Sequence, residues 1–287
     1  MPVELHDSAK EPPVQKLKLA IVGREKHGKS WLAATARKPI LVHDFDGRSE
    51  SLNGKDGVYV ISYVDPVWPK MPDAAQKFLD IVGKLETSLD LAELGFAVPK
   101  GTIVRTNVID SIQTFGKAFS AYALYGQKDI RREIVFGNYK VFLGAGWDAW
   151  NAEMKPVEDS FLRLAGLPPD IIITLHETLE ESEDSTSDKP KYTGKVGVYP
   201  VRYQRLLKYV NELWRVKNTQ IVSNGRSVFL PRVYTKPTFD FDASTAMELD
   251  AVEEPDIAKL ITKHEAALRS KGLLGASPKA LPPGVKA

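Results

Sequence analysis

The stretch that decides the fold is LKLAIVGREKHGKS, residues 17–30. Residues 17–22 form an apolar run that ends at a glycine, which is typical of a buried strand. Residues 23–30 match the pattern G-x-x-x-x-G-K-[ST], and a possible helix follows. Glycines let the backbone wrap closely around phosphate oxygens, while successive N–H groups and the helix N-terminus face the anion. The stretch therefore predicts a phosphate-binding loop between a strand and a helix.

Residue types within this loop predict individual roles. Lys29 is of the right length to reach the β- and γ-phosphates, and the Ser30 hydroxyl is a ligand for Mg²⁺. A chance match in a surface turn is the alternative, and the preceding strand argues against it. The interior of the loop is unusually bulky and charged, so we expect Glu25 to point outward from a triphosphate or Lys26 to offset its charge. The residues predicted to contact the nucleotide are Gly23, Lys26, His27, Gly28, Lys29 and Ser30.

Composition narrows the class of protein. The chain has 287 residues, 43% hydrophobic and 26% charged, which is typical of a globular protein and too apolar for disorder. With 39 Lys+Arg against 37 Asp+Glu it is not a histone-like basic protein. The absence of cysteine excludes disulfides, cysteine-ligated zinc and a cysteine nucleophile. Without a transmembrane run or a secretory signal, we expect a cytoplasmic protein that does not bind membranes.

The order of apolar and polar segments predicts one α/β domain over residues 16–270, between a flexible leader (1–15) and a flexible tail (271–287). Apolar runs predict strands at residues 17–22, 39–43, 58–63, 102–109 and 171–175. Helical spacing predicts helices at residues 30–37, 74–94, 201–214 and 255–270, and a mostly helical stretch at 112–165 interrupted near 137–146. Strands without alternation between helices indicate a mostly parallel sheet flanked by helices. Asn224-Gly225, between strands at 219–222 and 227–234, predicts a C-terminal antiparallel hairpin.

Two strands end in carboxylates, and ligands of open α/β sheets lie at that edge. Asp110 follows the strand TIVRTNVI, where it would hold Mg²⁺ or, alternatively, cap the following helix. Asp46 follows PILVH, where a carboxylate would polarise an attacking water. The alternative for Asp46 is a simple turn, because Asp46-Gly47 is a turn dipeptide.

One strand ends in a histidine. His176 follows IIITL, where its imidazole would hydrogen-bond a γ-phosphate or its water and report the nucleotide state to the next loop. The alternative is a capped surface histidine.

The order of these motifs carries a resemblance to a known family. A strand leads into GREKHGKS, and strands ending in DFDG, VIDS and IIITLH follow. This order resembles the RecA-like P-loop ATPases. More closely, it is similar to phage-encoded nucleotide-binding proteins of that branch, some of which are single-strand annealing recombinases. The resemblance spans residues 17–236.

The resemblance implies a catalytic set of Asp46, Lys29 and His176. It implies ATP and Mg²⁺ as cofactors, Asp46 as general base for water and His176 as γ-phosphate sensor. It also implies a ring or filament with nucleotide between protomers, in the host cytoplasm if the protein is phage-encoded. The arginine-bearing segment of such proteins is missing after the hairpin, which leaves Arg226, Arg232 or Lys236 as substitutes.

Two basic regions are candidate single-stranded DNA contacts. The polar stretch after His176 reads as a mobile surface loop, and lysines interleaved with an aromatic ring suit phosphates and a stacked base. The alternative is a solvated loop without DNA contact. Residues 128–140 lie where RecA-like proteins place their first DNA loop, and the alternative there is a charged helix face. The predicted contacts are Lys189, Lys191, Tyr192, Lys195, Arg131 and Arg132.

Three functions follow as expectations. The first is a Mg²⁺-dependent, RecA-like ATPase that acts on single-stranded DNA in recombination, annealing or replication, with other replication or recombination proteins as possible partners. The second is a nucleotide-dependent switch or accessory protein, such as a helicase loader, without DNA affinity. The third is a nucleotide-binding structural protein without catalysis.

Overall fold

The computed structural model describes residues 16–65, 72–126, 131–136, 139–144, 146–181, 192–199, 201–223 and 226–274. The predicted leader, residues 1–15, lies outside the described residues, and so do residues 275–287 of the predicted tail. None of the described helices combines the length and hydrophobicity needed to cross a lipid bilayer.

The described strands build one ten-stranded sheet and a separate hairpin. In chain order the strands are β1 (Lys18–Gly23), β2 (Ile40–Asp44), β3 (Val58–Ser62), β4 (Thr106–Asp110), β5 (Arg131–Phe136), β6 (Tyr139–Gly144), β7 (Asp170–Glu181), β8 (Tyr192–Tyr199), β9 (Glu212–Ser223), β10 (Arg226–Tyr234), β11 (Ser244–Thr245) and β12 (Val252–Glu253). The sheet runs β12-β10-β9-β1-β7-β4-β2-β3, with β11 paired to β9 and β8 to β7, while β5 and β6 pair only with each other.

Pairing in the centre of the sheet is parallel. Strand β1 lies between β7 and β9, β4 between β7 and β2, and β2 pairs with β3, all in the parallel sense. Strands β8, β10, β11 and β12 are antiparallel to their neighbours. The predicted α/β fold, a mostly parallel sheet with an antiparallel C-terminal hairpin, is confirmed. The carboxyl ends of β1, β2 and β4 therefore meet at one edge, and β7 continues past that edge from His176 to Glu181.

Helices cover both faces of the sheet. They are α1 (Lys29–Ala33), α2 (Ala74–Leu85), α3 (Ile112–Gly126), α4 (Gly146–Gly166) and α5 (Ile257–Ser270), with 3₁₀ segments at Ser49–Leu52 and Val201–Tyr209. One buried cluster joins α2, α3 and α4 to the sheet through Phe78, Phe115 and Phe161. A second cluster, which includes Leu32 and Leu260, joins α1 and α5 to the opposite face. Residues from both faces of β1 enter these clusters, as its apolar sequence predicts.

Several predicted elements are wrong in extent or type. The predicted helix at 201–214 is a 3₁₀ segment followed by β9, in which Trp214 is fully buried. The predicted helix at 74–94 ends at Leu85. Between α3 and α4 the chain forms the β5–β6 hairpin, so the interruption of the stretch 112–165 is wider than predicted. The predicted mobile loop after His176 is partly strand, because β7 continues to Glu181 and pairs with β8. For residues 212–214, pairing of β9 with the distant β1 overrides the local helical pattern.

Candidate functional site

The phosphate loop connects β1 to α1 with backbone geometry that depends on its two glycines. Gly28 precedes the helix with a φ of 87°, a left-handed conformation that favours glycine. A Cβ on Gly23 would lie 2.6 Å from the Val216 carbonyl oxygen of β9, so only glycine fits there. The loop is therefore packed against the neighbouring strand at its start and turned by glycine at its end.

Lys29 lies inside the loop that it is predicted to serve. It is 7% exposed, and its ammonium donates hydrogen bonds of 2.9 Å to the carbonyl oxygens of Gly23 and Arg24. Its Nζ also lies 3.3 Å from Nδ1 of His176. Burial lowers the pKa of Lys29 and, together with the charge on Lys29, that of His176. The structure thus brings together two of the three predicted catalytic residues.

Asp110 ends β4, in register with Asp44 at the end of β2. Its carboxylate is 8% exposed and accepts hydrogen bonds from the hydroxyls of Ser30 and Thr174. Burial raises the pKa of Asp110, while these two hydrogen bonds oppose that rise. A carboxylate kept from water beside a serine hydroxyl is a hard oxygen donor set, which fits Mg²⁺. Sequence reasoning found Ser30 and Asp110 but missed Thr174.

Two carboxylates after β2 have different partners. Asp44 is 2% exposed, and its Oδ1 accepts hydrogen bonds from the backbone N–H groups of Asp46 (3.0 Å) and Gly47 (2.9 Å). Asp46 Oδ1 accepts hydrogen bonds from the hydroxyls of Ser111, at 2.9 Å, and Thr114. Asp46 is thereby oriented by the start of α3, across the edge of the sheet from its own strand.

A cavity of about 650 Å³ opens beside the loop. Asp46 and His176 form parts of its wall, together with residues of the phosphate loop and of the first turns of α3. It is open to solvent on one side, so a water molecule or an anion can reach Asp46 from outside. The predicted catalytic carboxylate and the predicted sensor therefore share one cavity.

A series of ion pairs, called the ion-pair ladder below, links the phosphate loop to β7 and β9. Sequence reasoning missed these pairs. Arg24 of the loop donates to Glu177 at 2.9 Å, and Glu177 also accepts a 2.9 Å hydrogen bond from Arg215 of β9. Arg215 in turn pairs with Asp240 at 2.8 Å. The side chains of Glu177 and Arg215 are only 5% and 4% exposed. This ladder accounts for one charge of the loop, because Arg24 pairs with Glu177, whereas Glu25 is among the residues that line the cavity.

The other predicted loop residues differ in position. Lys26 is exposed and has a φ of 60°. His27 is half-buried, and its ring contacts the Val216 carbonyl; burial is the main cause of its lowered pKa. His27 therefore packs against β9 in the described structure, and its predicted contact with nucleotide stays a prediction.

The predicted DNA contacts are spread over two hairpins. Lys195 lies on β8. Its side chain is 53% exposed, and its Nζ lies 3.8 Å from Oδ2 of Asp242. Tyr192 begins β8, and Arg131 and Arg132 begin β5. Lys189 and Lys191 lie outside the described residues, so their prediction has no structural counterpart.

The three basic residues that could replace the missing arginine-bearing segment lie on or just after β10. Arg226 and Arg232 belong to β10, and Arg232 pairs with Glu254 at 3.7 Å. Lys236 follows that strand. Among the described residues that line the cavity, none is a member of this set.

Comparison with known proteins places the chain in a family. Residues 15–221 match the family model AAA_24, which is described as an AAA domain. No curated protein matches the sequence significantly. The match supports the expected P-loop ATPase and the binding of nucleotide, and it does not reach the narrower resemblance to phage annealing proteins. With more than half of its length inside this match, the chain belongs to the AAA_24 family of AAA domains.

Proposed function

We propose that this protein is a Mg²⁺-dependent ATPase that couples hydrolysis to an action on single-stranded DNA in recombination, annealing or replication. The observation that carries the enzymatic part is the meeting of five predicted residues at one edge of the sheet. They come from the ends of β2 and β4, from β7 beside the end of β1, and from the phosphate loop with the start of α1: Lys29, Ser30, Asp46, Asp110 and His176.

Each residue has a distinct task in hydrolysis. Lys29 exchanges its two carbonyl partners for phosphate oxygens of ATP, and the loop N–H groups hold the remaining oxygens. Ser30 and Asp110 would hold Mg²⁺, which when bound neutralises charge on the β- and γ-phosphates. Asp46 orients the attacking water and accepts its proton, while His176 hydrogen-bonds the γ-phosphate. The proton acceptor and the sensor reach the same end of the triphosphate because they share one cavity.

The enzymatic proposal is tested by phosphate release. We expect Lys29→Ala to lose nucleotide binding and Asp46→Asn to bind ATP normally but hydrolyse it at least about a hundredfold more slowly. Asp56→Asn, at an exposed acid away from the cavity, is the matched control and should match wild type. Equal rates in Asp46→Asn and wild type would leave a nucleotide-binding structural protein.

The hairpin β7–β8 supports the DNA part of the proposal. Strand β7 passes through His176 without a break and continues to Glu181, where it pairs with β8. The pairing of β7 with β8 runs from His176 to a register shift between Leu179 and Glu181, and Lys195 lies beside that shift, so the hairpin connects the predicted sensor to an exposed lysine. An exposed lysine on such a hairpin suits the phosphates of a nucleic acid strand.

Binding of a fluorescent oligonucleotide tests this part. We expect salt-sensitive binding that differs with and without a non-hydrolysable ATP analogue. Lys195→Ala should reduce the slope of affinity against salt by about one phosphate contact. Lys259→Ala, an exposed lysine on α5, should leave the slope unchanged. No binding at low salt would replace this proposal with a nucleotide-dependent switch or accessory protein.

A further inference from the structure

The wall of the cavity beside Asp46 includes two cations that do not belong to the ion-pair ladder. Arg48 and Lys117 both line it and are both exposed, and neither makes a hydrogen bond or ion pair with any described residue. The third cation of the lining, Arg24, already pairs with Glu177. The lining also contains the carboxylates of Glu25, Asp46 and Glu177, so the wall has no net positive charge, and the position of each cation decides whether it can serve the phosphates of a nucleotide.

Of these two cations, Arg48 is better placed than Lys117 to contact a bound triphosphate. It follows Asp46 by two residues, in the segment whose turn is fixed by the buried Asp44 carboxylate. After burial and the charge on Lys29, the charge on Arg48 also contributes to the lowered pKa of His176, so the guanidinium lies within electrostatic range of the sensor. Lys117 lies on α3, almost one turn beyond Thr114, which is the residue that contacts Asp46.

We propose that Arg48 is a catalytic residue that contacts the γ-phosphoryl oxygens of ATP bound to the same chain. This inference rests on the proposed ATPase function. The water oxygen bonds to the γ-phosphorus while the bond to the β–γ bridging oxygen breaks. ADP leaves with that electron pair, and Asp46 takes the water proton. Charge spread over the three equatorial oxygens meets the planar fork of Arg48.

The proposal removes the need for an arginine from a neighbouring protomer. An arginine finger can act from the same chain or from a partner, and the contribution to turnover is of the order of 10³–10⁵-fold. Arg232 lies on β10 and is not among the described residues that line the cavity. Arg48 needs no assembly because it lies in the same cavity as Asp46 and His176. The rate per chain is then independent of protein concentration.

Phosphate release and ATP calorimetry with three variants test the assignment. We expect Arg48→Ala to lower turnover by about 10³-fold while the Kd for ATP changes by less than about fivefold. Arg48→Lys keeps the charge without the fork and should stay at least about tenfold below wild type. Lys117→Ala removes the same charge from the same cavity and should stay within about threefold of wild type.

A mixing experiment separates the same-chain role from a role across protomers. Lys29→Ala has an intact Arg48 but no working loop, whereas Arg48→Ala has an intact loop. If Arg48 acts within its own chain, an equimolar mixture is as slow as Arg48→Ala alone. Recovery of activity in the mixture would overturn the proposal, and so would equal losses in Arg48→Ala and Lys117→Ala. Full activity in Arg48→Ala refutes this inference alone, while no hydrolysis by wild type refutes the proposed function.

Discussion

His43 makes stability depend on pH next to the nucleotide site. It is fully buried on β2, directly before Asp44, with Nδ1 3.0 Å from the Tyr63 hydroxyl and Nε2 3.4 Å from Asn107 Oδ1. Its ring packs edge-on against Phe78 at 5.1 Å. Burial lowers the pKa of His43 from 6.5 to about 4, opposed only by the hydrogen bond with Asn107. The imidazole is therefore neutral in the folded protein at any pH above about 5.

The sign and size of the effect follow from linkage. Below pH 6.5 the unfolded chain binds a proton at His43, while the folded protein does not until about pH 4. The unfolded state then binds more protons, so stability falls as pH falls. Between pH 8 and pH 5 the loss from this one group is about 2 kcal/mol. We therefore expect His43 alone to lower the free energy of unfolding by about 2 kcal/mol over this range.

Urea unfolding of wild type and His43→Gln at pH 8 and pH 5 measures this loss. The glutamine amide has no proton to gain, so the variant should lose about 2 kcal/mol less than wild type over the same interval. Other histidines with lowered pKa, such as His27 and His176, are present in both proteins, and their contributions cancel. Parallel losses in the two proteins would show that His43 titrates normally, and the reasoning from burial would be wrong.

Three further predictions concern the ladder, the metal site and the loop. Glu177→Gln should lower the free energy of unfolding, measured by urea titration, by about 3 kcal/mol, because the buried Arg215 loses a charged partner. Arg24→Ala should lower it by less than about 1 kcal/mol, because the Arg24 side chain is 68% exposed. Asp110→Asn should stabilise the nucleotide-free protein but weaken Mg²⁺-dependent ATP binding at least about tenfold, and a less stable variant in thermal unfolding would contradict this. Trp31 is 42% exposed in the first turn of α1, so we expect tryptophan fluorescence to change when ATP binds. The change should be absent in Trp31→Phe. ATP binding without a fluorescence change in wild type would refute this prediction.

The sequence could predict that candidate residues lie close together, because parallel strands collect their carboxyl ends at one edge; their roles stay predictions. An apolar run that ends in a polar residue therefore names a candidate without any knowledge of its neighbours. Asp110 and His176 were predictable in this way and Lys29 from the G-x-x-x-x-G-K-[ST] pattern, and the structure brings the three side chains together. Their hydrogen-bond partners were not predictable, because Thr174 reaches Asp110 from a neighbouring strand, and no local pattern records that register.

Local periodicity failed where distant pairing decides the structure. The spacing of Leu206, Val210 and Leu213 fits a helix, yet Leu213 belongs to a strand that pairs with β1. Trp214 is fully buried and donates its indole N–H to Glu212, a contact that stabilises the strand and lies within two residues. The segment changes from 3₁₀ to strand in the middle of an apparently continuous pattern, so only tertiary contacts fix its type.

The sequence left two roles open for Asp46 in the DFDG segment, a turn residue and a carboxylate that polarises water, and the structure is compatible with both. A turn does follow β2, but Asp44 stabilises it, because its Oδ1 accepts the N–H groups of Asp46 and Gly47. That leaves the Asp46 carboxylate free of the turn, held instead by the hydroxyls of Ser111 and Thr114 at the cavity wall. One carboxylate shapes the backbone so that the other is available for chemistry. The turn therefore supports the proposed role of Asp46 in orienting water, since without it the side chain would have no fixed direction.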